Sequence, residues 1–440
     1  MSTTARIVTP LEKPLVGSLR VPGDKSISHR AILLSAMAQG TSQLCGVLDS
    51  EDVRSSLRAV SVLGAKISLE KQSDGSLAGG IEGWGSAGPV QPEAPIDCGN
   101  SGTTARLLMG VLAPWDIKVT LTGDAALVRR PMRRVVAPLM KMGVHFEPDG
   151  QETLPLTQRG SARLKAITYA SPMASAQLKS AILLAGVYAQ GTTTVNEPAP
   201  SRNHTELMLP EFGARTTAGV RSAAVAGPCE LKACKVAVPG DPSSAAFLIC
   251  AAILRPQSSI VVENVSLNTA RIGFTRTLER MGAHISVQHK GTAGKEPFGN
   301  ISARYSDHLK GCEVPADKIA SIVDEVPVLA LVAAHATGMT ILRGVSELRM
   351  KESDRLAAVI ETLETLGVSV WMHGDDLFIE GCGDFSVPDN AVFNSHNDHR
   401  LAMTWALIAL TGTKPVTVTH FDSVKVSYPR FLEDFERLTR

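Results

Sequence analysis

The chain has 440 residues, 44% of them apolar and 20% charged, values ordinary for a soluble globular protein. It is too long for one core, so two or three domains are expected. A formal net charge of +1 supplies no global field to draw in nucleic acid or an anionic membrane, so any anion must be held by a local cluster. Seven cysteines, an odd number with no C-x-x-C pair, fit a reducing compartment rather than a disulfide framework. The opening MSTTARIVTPLEKPL has no apolar core of a secretory signal. The longest uncharged apolar runs, such as 243–254, fall well short of the roughly 20 residues that a membrane span needs. A cytoplasmic location is expected.

The first informative stretch is VPGDKSISHR at 21–30. Val21-Pro22-Gly23 ends an extended run, and Lys25, Ser26, Ser28, His29 and Arg30 open the apolar helix AILLSAMA. Such a cation-rich turn at a helix N-terminus suits a phosphate or carboxylate. From residue 33 to 67 a repeating grammar follows: apolar helix, small-Gln-Gly, Thr-rich strand, polar turn, helix closing on Leu-Gly-Ala, second strand. The same grammar returns at 183–214 and 331–370, and in weaker form at 107–146, at 247–285 and from Leu407 onward. That makes six units, three before about residue 238 and three after. Helix-closing glycines at 64, 143, 213, 282 and 367 fit a C-cap that tolerates positive φ. The entry of 21–24 recurs without its charges as VPGDPSSAAFLICAAIL at 238–254. Two similar domains are therefore expected, with crossings near 20–24 and 236–241, and residues 1–20 should complete a sheet of the second domain. The helices are apolar over most of their length, which predicts burial within each domain.

Polar clusters open the helices of these units. In chain order they are DKSISHR (24–30), CGNSGTTAR (98–106), RRPMRR (129–134), MASAQLKS (173–180), SRNHTE (201–206), DEVP (324–327), MKESDR (350–355) and HNDHR (396–400). Each alone is weak, because a helix start commonly carries a cap residue. Eight at equivalent ends of repeated units point to one face of each domain, and hence to a cleft. RRPMRR is open to two readings, a solvated basic face or an anion cluster. MKESDR sets Lys351 and Arg355 four apart on one helical face with Glu352 beside them, which equally describes a salt-bridged helix start. His396 and His399 lack further ligands at metal spacing, so no metal is expected. The sequence has no G-x-S-x-G, Walker A or strand-linked G-x-G-x-x-G motif, so neither a serine hydrolase nor a nucleotide site is indicated. What remains is a cleft rich in Lys and Arg with a few carboxylates, Asp324 and Glu352 among them. It suits multiply anionic substrates and leaves carboxylates for proton transfer.

VPGDKSISHRA, CGNSGTTARLLMGVL, TGDAALVRRPMRRV, ASAQLKSAILLAG, MKESDRL and NDHRLAM, in this order over nearly the whole chain, resemble the 5-enolpyruvylshikimate-3-phosphate synthase family. SAQLKSA and SRNHTE resemble its class II branch. The resemblance implies an α/β fold of two similar inverse α/β domains, each of three βαβαββ repeats, with the active site in the cleft between them. The implied domains are 1–22 with 239–440, carrying Asp324, Glu352, Arg355 and Arg400, and an inserted 23–238, carrying the shikimate phosphate site. It implies transfer of the enolpyruvyl group of phosphoenolpyruvate to the 5-hydroxyl of shikimate 3-phosphate by addition and elimination, without metal or cofactor.

Carried over by motif, Lys25, Ser26, Arg30, Thr103, Ser175, Gln177, Arg202, Asp324 and Lys351 serve shikimate 3-phosphate. Lys25, Asn100, Gly102, Arg130, Gln177, Arg355 and Arg400 serve phosphoenolpyruvate, with Arg106 in support. Asp324 is implied as base at the 5-hydroxyl, Glu352 as proton donor to the methylene carbon, and Lys25 and His399 as further catalytic groups. The resemblance also implies the inhibitor glyphosate on the phosphoenolpyruvate side, because insensitive members often have alanine where this chain has Gly102. A monomer without nucleic-acid or membrane partners is expected. Three positions depart from the pattern. Ala176 stands where another branch has a second serine, removing one phosphate contact, and Glu347 stands where that branch has asparagine. KVSYP places Lys425 four residues before Pro429 rather than three. A UDP-N-acetylglucosamine enolpyruvyl transferase would share fold and chemistry, but its reactive cysteine is missing from TGDAALVRRP. A silent anion-binding relative would not need Asp324 and Glu352.

Overall fold

The computed structural model describes residues 4–148 and 150–439. It forms two compact units. One takes the chain up to Val21, Gly240–Gly291 and everything from Pro297; the other takes Pro22–Pro239 with Thr292–Glu296.

Among the described residues each unit holds three sheets. In the unit beginning at Pro22 all three share one strand order. A short strand runs parallel to the second strand, and two further strands add antiparallel. They are Lys235–Ala237, Gln39–Val47, Leu77–Trp84 and Lys66–Lys71; then Ile96–Asp97, Lys118–Thr122, Leu156–Arg159 and His145–Glu147; then Thr168–Ala170, Gly191–Asn196, Ser222–Gly227 and Arg215–Ala218. In the other unit Val16–Arg20 runs parallel to Ser259–Ser266, and Glu313–Val314 parallel to Thr337–Leu342. The sixth sheet has three strands. Val392–Asn394 runs parallel to Val416–Thr419, and Arg6–Val8 pairs antiparallel with the latter, Arg6 opposite Val418. After Thr419 the chain turns helical, ending in the helix Phe431–Leu438, so it supplies no closing hairpin there and the N-terminal strand takes that edge. The six sheets correspond to the six sequence units. The five helix-closing glycines 64, 143, 213, 282 and 367 all have φ between 78° and 109°, the left-handed region in which a side chain is strained.

Each unit is centred on three helices that are apolar nearly all round and almost wholly buried. In one they are Lys25–Met37, Gly102–Leu112 and Ala176–Gly186; in the other, Pro242–Leu254, Val326–His335 and His399–Thr411. Small residues let these helices approach closely. At Gly110 a Cβ would lie 2.2 Å from the carbonyl oxygen of Ala181 on the neighbouring helix, so no side chain fits. Short polar residues cap the starts. Asp24 accepts from Ile27 N, Ser101 from Thr104 N, Ser175 from Leu178 N, Asp241 from Ser243 N and Asp398 from Arg400 N. Bonds between side chains at these starts, detailed below, gather the three N-termini of each unit at one end. The partially positive ends of three dipoles are thus brought together.

One local expectation is corrected. Lys351 and Arg355 do not share a helical face: Ser346–Met350 is a 3-10 turn, 351–354 is non-helical, and the α-helix begins at Arg355, capped by Asp354. Asp354 accepts from Ala357 N, which fixes the helix start three residues past Glu352.

Candidate active site

All eight sequence clusters lie at or just before helix starts. In the Pro22–Pro239 unit, Lys25 Nζ bonds Asp52 Oδ2 at 3.2 Å, and both side chains are largely shielded. Arg30 is 3% exposed and fully placed. Its Nε donates to Thr205 Oγ1 (2.8 Å), Nη1 to the Ser26 carbonyl (2.9 Å) and Nη2 to Ser180 Oγ (2.7 Å). Beside them His29 is completely buried. Burial, with Lys25 and Arg30 adding repulsion, holds its imidazole well below the ordinary value, so it is neutral. Its Nδ1 starts a buried hydroxyl chain, Ser56 (2.8 Å) to Thr104 (2.8 Å) to Ser101 (2.8 Å), that ends on the cap of the Gly102 helix.

A second connected set surrounds Gly102. Arg130 Nη2 donates to Asn100 Oδ1 (2.9 Å), and Asn100 Nδ2 to Asp124 Oδ2 (2.7 Å). Arg106 Nη1 donates to Gln177 Oε1 (2.9 Å), and Gln177 Nε2 to Thr103 Oγ1 (3.0 Å). Gly102 sits against both arginines: a Cβ there would be 2.8 Å from Arg106 Nη1 and 3.5 Å from Arg130 Nη1. RRPMRR therefore resolves residue by residue. Arg130 and Arg134 point to the Asn100 and Gln177 side chains, while Arg133 pairs with Glu152 at the surface. Ser175 and the segment before Arg202 are joined through Glu197, which accepts from Ser175 N and from Ser201 Oγ, each at 3.0 Å.

In the other unit Arg355 is the hub. It is 1% exposed and faces three carboxylates: Asp398 Oδ2 (2.7 Å from Nε), Glu352 Oε2 (2.6 Å from Nη2) and Asp324 Oδ1 (3.3 Å from Nη1). Burial works against its charge, but Asp398, Glu352 and Asp324 outweigh it and raise the guanidinium above its ordinary value. Asp324 is shared, because its Oδ2 also lies 3.3 Å from Arg400 Nη2. His399 and Arg400 are the first two residues of their helix. Lys351 bonds Glu347, the residue that departs from the related branch. Lys425 is exposed and pairs with Asp422 at 3.2 Å, outside this cluster's bonds.

Sequence reasoning missed several members. The partnerships of Asp52, Glu197, Asp398 and Glu325 become visible only once residues 22 to 82 positions apart are brought together. Lys179 did carry a signal, an ammonium inside the otherwise apolar LKSAILLAG. The second VPGD turn, whose helix start carries no cation, is filled from within. Buried Arg271 donates to Asp241 Oδ1 and Ser243 Oγ, both at 3.0 Å, and Ser243 Oγ donates to Glu325. Glu325 in turn lies 3.8 Å from Arg400.

The EPSP synthase (3-phosphoshikimate 1-carboxyvinyltransferase) family model matches residues 10–435. The 3-phosphoshikimate 1-carboxyvinyltransferase of Parvibaculum lavamentivorans is 45% identical over 95% of this chain and 92% of its own length; that of Gluconobacter oxydans is 44% identical over 97% and 96%. A solved EPSP synthase from Acinetobacter baumannii superposes with a TM-score of 0.87 at 37% identity, covering 100% of this chain and 98% of the other. The enolpyruvyl transferase NikO from Streptomyces tendae shares the fold, with a TM-score of 0.78 at 18% identity over 99% and 98% of the two chains. A match running from residue 10 to residue 435, with relatives alike over more than nine-tenths of their own length, is more than a shared fold. The chain belongs to the EPSP synthase family and catalyses its reaction, the transfer of an enolpyruvyl group from phosphoenolpyruvate to shikimate 3-phosphate in the shikimate pathway.

Proposed function

We propose that the clusters divide the reaction by charge. Lys25, Ser26, Arg30, Thr103, Ser175, Gln177, Arg202, Asp324 and Lys351 hold shikimate 3-phosphate, whose phosphate and carboxylate call for several fixed donors. Lys25, Asn100, Gly102, Arg130, Gln177, Arg355 and Arg400 hold phosphoenolpyruvate. Asp324 takes the proton of the 5-hydroxyl as that oxygen bonds to C2 of phosphoenolpyruvate. Glu352 protonates C3 to give the tetrahedral adduct. Loss of a C3 proton and departure of phosphate from C2 restore the double bond, with Glu352 able to take that proton back. His399, beside Arg400, belongs to the same constellation. On this reading the functional domains are 1–22 with 239–440, and 23–238.

The observation that supports it best is the placement of the two carboxylates. Asp324 lies between Arg355 and Arg400, and Glu352 bonds Arg355 at a different nitrogen. Two carboxyl groups brought to one guanidinium, at its Nη1 and Nη2, can divide proton removal and proton donation between them. Every nitrogen of Arg355 already faces a carboxylate. An arriving phosphoenolpyruvate anion therefore takes over a guanidinium nitrogen from Asp324 or Glu352 and frees that carboxylate to handle a proton. Substrate binding and readiness for chemistry are thereby linked.

Glyphosate, an anion of similar size, is expected on the phosphoenolpyruvate side, and the enzyme is expected to act as a cytoplasmic monomer. Among the described residues no helix is long and apolar enough to cross a membrane. Phosphate release tests the reading. It should require both substrates together, and glyphosate should compete with phosphoenolpyruvate. Release from phosphoenolpyruvate without shikimate 3-phosphate would contradict it.

A further inference from the structure

The helix Ala176–Gly186 is apolar apart from its first turns, yet it carries Lys179, whose side chain is 5% exposed. A buried ammonium is tolerated only when paired. Its Nζ meets Glu197 Oε2 at 2.7 Å and Glu206 Oε1 at 2.9 Å, and those side chains are 1% and 3% exposed. Glu206, in the short helix His204–Met208, bonds only Lys179 through its carboxylate among the described residues. Glu197 follows the strand Gly191–Asn196 and does more. Its Oε1 accepts from the backbone N–H of Ser175, the cap of the Lys179 helix. Its Oε2 accepts from Ser201 Oγ, immediately before Arg202. One carboxylate thus ties together the two segments that present Ser175 and Arg202.

We propose that Glu197 is a positioning residue for shikimate 3-phosphate: buried and out of reach of the substrate, it fixes Ser175 and Arg202 relative to each other. Lys179 supplies the charge that lets a carboxylate sit beneath a site for a phosphate dianion. The inference rests on the assignment of Ser175 and Arg202 to shikimate 3-phosphate. Without Lys179 the carboxylate would repel the ligand it helps to place; with it, Glu197 keeps four lone-pair directions for Lys179, Ser175 and Ser201. Ser180 and Thr205, one residue along from Lys179 and one before Glu206, bond each other at 2.7 Å and hold Arg30. The same two segments therefore also set the third phosphate-side group.

The test is steady-state kinetics with each substrate varied in turn. A glutamine at 197 has one acceptor oxygen and two N–H donors, so it cannot accept from Ser175 N–H and also from Lys179 and Ser201. Glu197→Gln should raise KM for shikimate 3-phosphate about tenfold, the worth of one hydrogen bond to a charged group, with kcat and KM for phosphoenolpyruvate within about threefold of the parent. Glu206→Gln, which keeps an acceptor for Lys179 and leaves the Ser175 and Ser201 bonds to Glu197 intact, should leave both KM values within about twofold. Arg202→Ala is the control for the underlying assignment and should also raise KM for shikimate 3-phosphate. An Arg202→Ala effect with none from Glu197→Gln overturns the positioning role. No effect from Arg202→Ala overturns the assignment and the proposal with it. Equal rises in both KM values for Glu197→Gln identify a merely structural residue and also overturn the proposal. If Glu197→Gln does not fold, Glu197→Asp carries the same test. It keeps the charge on Lys179 but is one methylene too short to span both segments, and a parental KM for shikimate 3-phosphate would refute the tie.

Discussion

Gly102→Ala is the most informative single perturbation, because the structure sets its size. The new methyl carbon would lie 2.8 Å from Arg106 Nη1, against a normal contact distance near 3.4 Å, so the guanidinium must retreat by about 3.4 − 2.8 = 0.6 Å. It is held by Gln177 Oε1 at 2.9 Å and by the Pro131 carbonyl at 3.2 Å. A retreat of that size along the Gln177 bond stretches it to about 3.5 Å, the limit of a useful hydrogen bond. A bond from a charged donor contributes about 1.5–3 kcal/mol, which corresponds to roughly 10- to 150-fold in affinity. The far end of an arginine can swing to recover part of this, so KM for phosphoenolpyruvate should rise roughly 3- to 30-fold. The methyl group faces Arg130 at an ordinary 3.5 Å, so that side of the pocket should be nearly undisturbed. Glyphosate, if it fills the same pocket more fully, should lose more than the substrate does. The assay is phosphate release at saturating shikimate 3-phosphate with phosphoenolpyruvate varied, repeated with graded glyphosate. A folded variant with parental KM and parental inhibition would refute both the pocket assignment and the reasoning from the Arg106 clash.

Asp324→Asn and Glu352→Gln should each lower kcat about 100- to 10,000-fold, the usual loss of a positioned acid or base. Circular dichroism and thermal melts establish that each is folded, and near-parental turnover removes that residue from its role. His29 is held neutral in the folded state, whereas in the unfolded chain it titrates near 6.5, so the unfolded state gains a proton first as pH falls and stability drops below about pH 6.5. Denaturant melts at pH 7.5 and 5.5 should show a smaller acid loss for His29→Gln than for the parent; equal losses would mean that this histidine is not the source. Asp241→Ala breaks a buried ion pair with Arg271 and removes a helix cap, at a cost of about 3–5 kcal/mol, which should lower Tm by roughly 10 °C and leave both KM values near parental. Lys25→Ala should weaken both substrates and lower Tm less than Asp241→Ala does, because the Lys25–Asp52 pair is the more exposed of the two.

The fold was legible because its signals are local and repeated. Small-Gln-Gly, the Thr-rich strand and the Leu-Gly-Ala close each report on a few adjacent residues, and six copies reinforce one another. Positive φ at the closing glycines is the physical basis of one of those signals. The candidate site was legible to the same depth. Cap chemistry and cationic side chains at a helix start are written within ten residues, so Lys25, Arg30 and Arg355 stand out as candidates, whereas Asn100 and Gly102 were assigned through the family resemblance. Their partners are not local. Asp398 is a helix cap in its own segment and a counter-ion to Arg355 43 residues away, and only the second role matters to the hub. MKESDR misled for a related reason. Its charge spacing fits a helix face, but Asp354 is the stronger signal as a cap, and it starts the helix at Arg355.

The repeated turn makes the same point from the opposite direction. Both VPGD entries end a strand, cap a buried central helix with aspartate and stand at a boundary between units. At the first, the helix start carries Lys25, Ser26 and Arg30. At the second, Arg271 reaches in from another segment and satisfies Asp241 and Ser243 inside the protein. A helix N-terminus and its cap need polar partners wherever they are buried, but those partners can belong to the chain or to a ligand. Where the chain supplies them, as at Asp241, the end is closed and contributes to stability. Where the helix start itself carries cations, as with Lys25 and Arg30 even while Asp52, Thr205 and Ser180 hold them, the end is expected to favour an anion. The turn motif alone does not distinguish the two; the charge of the next six residues does. That division carries the contrasting expectations for Asp241→Ala and Lys25→Ala.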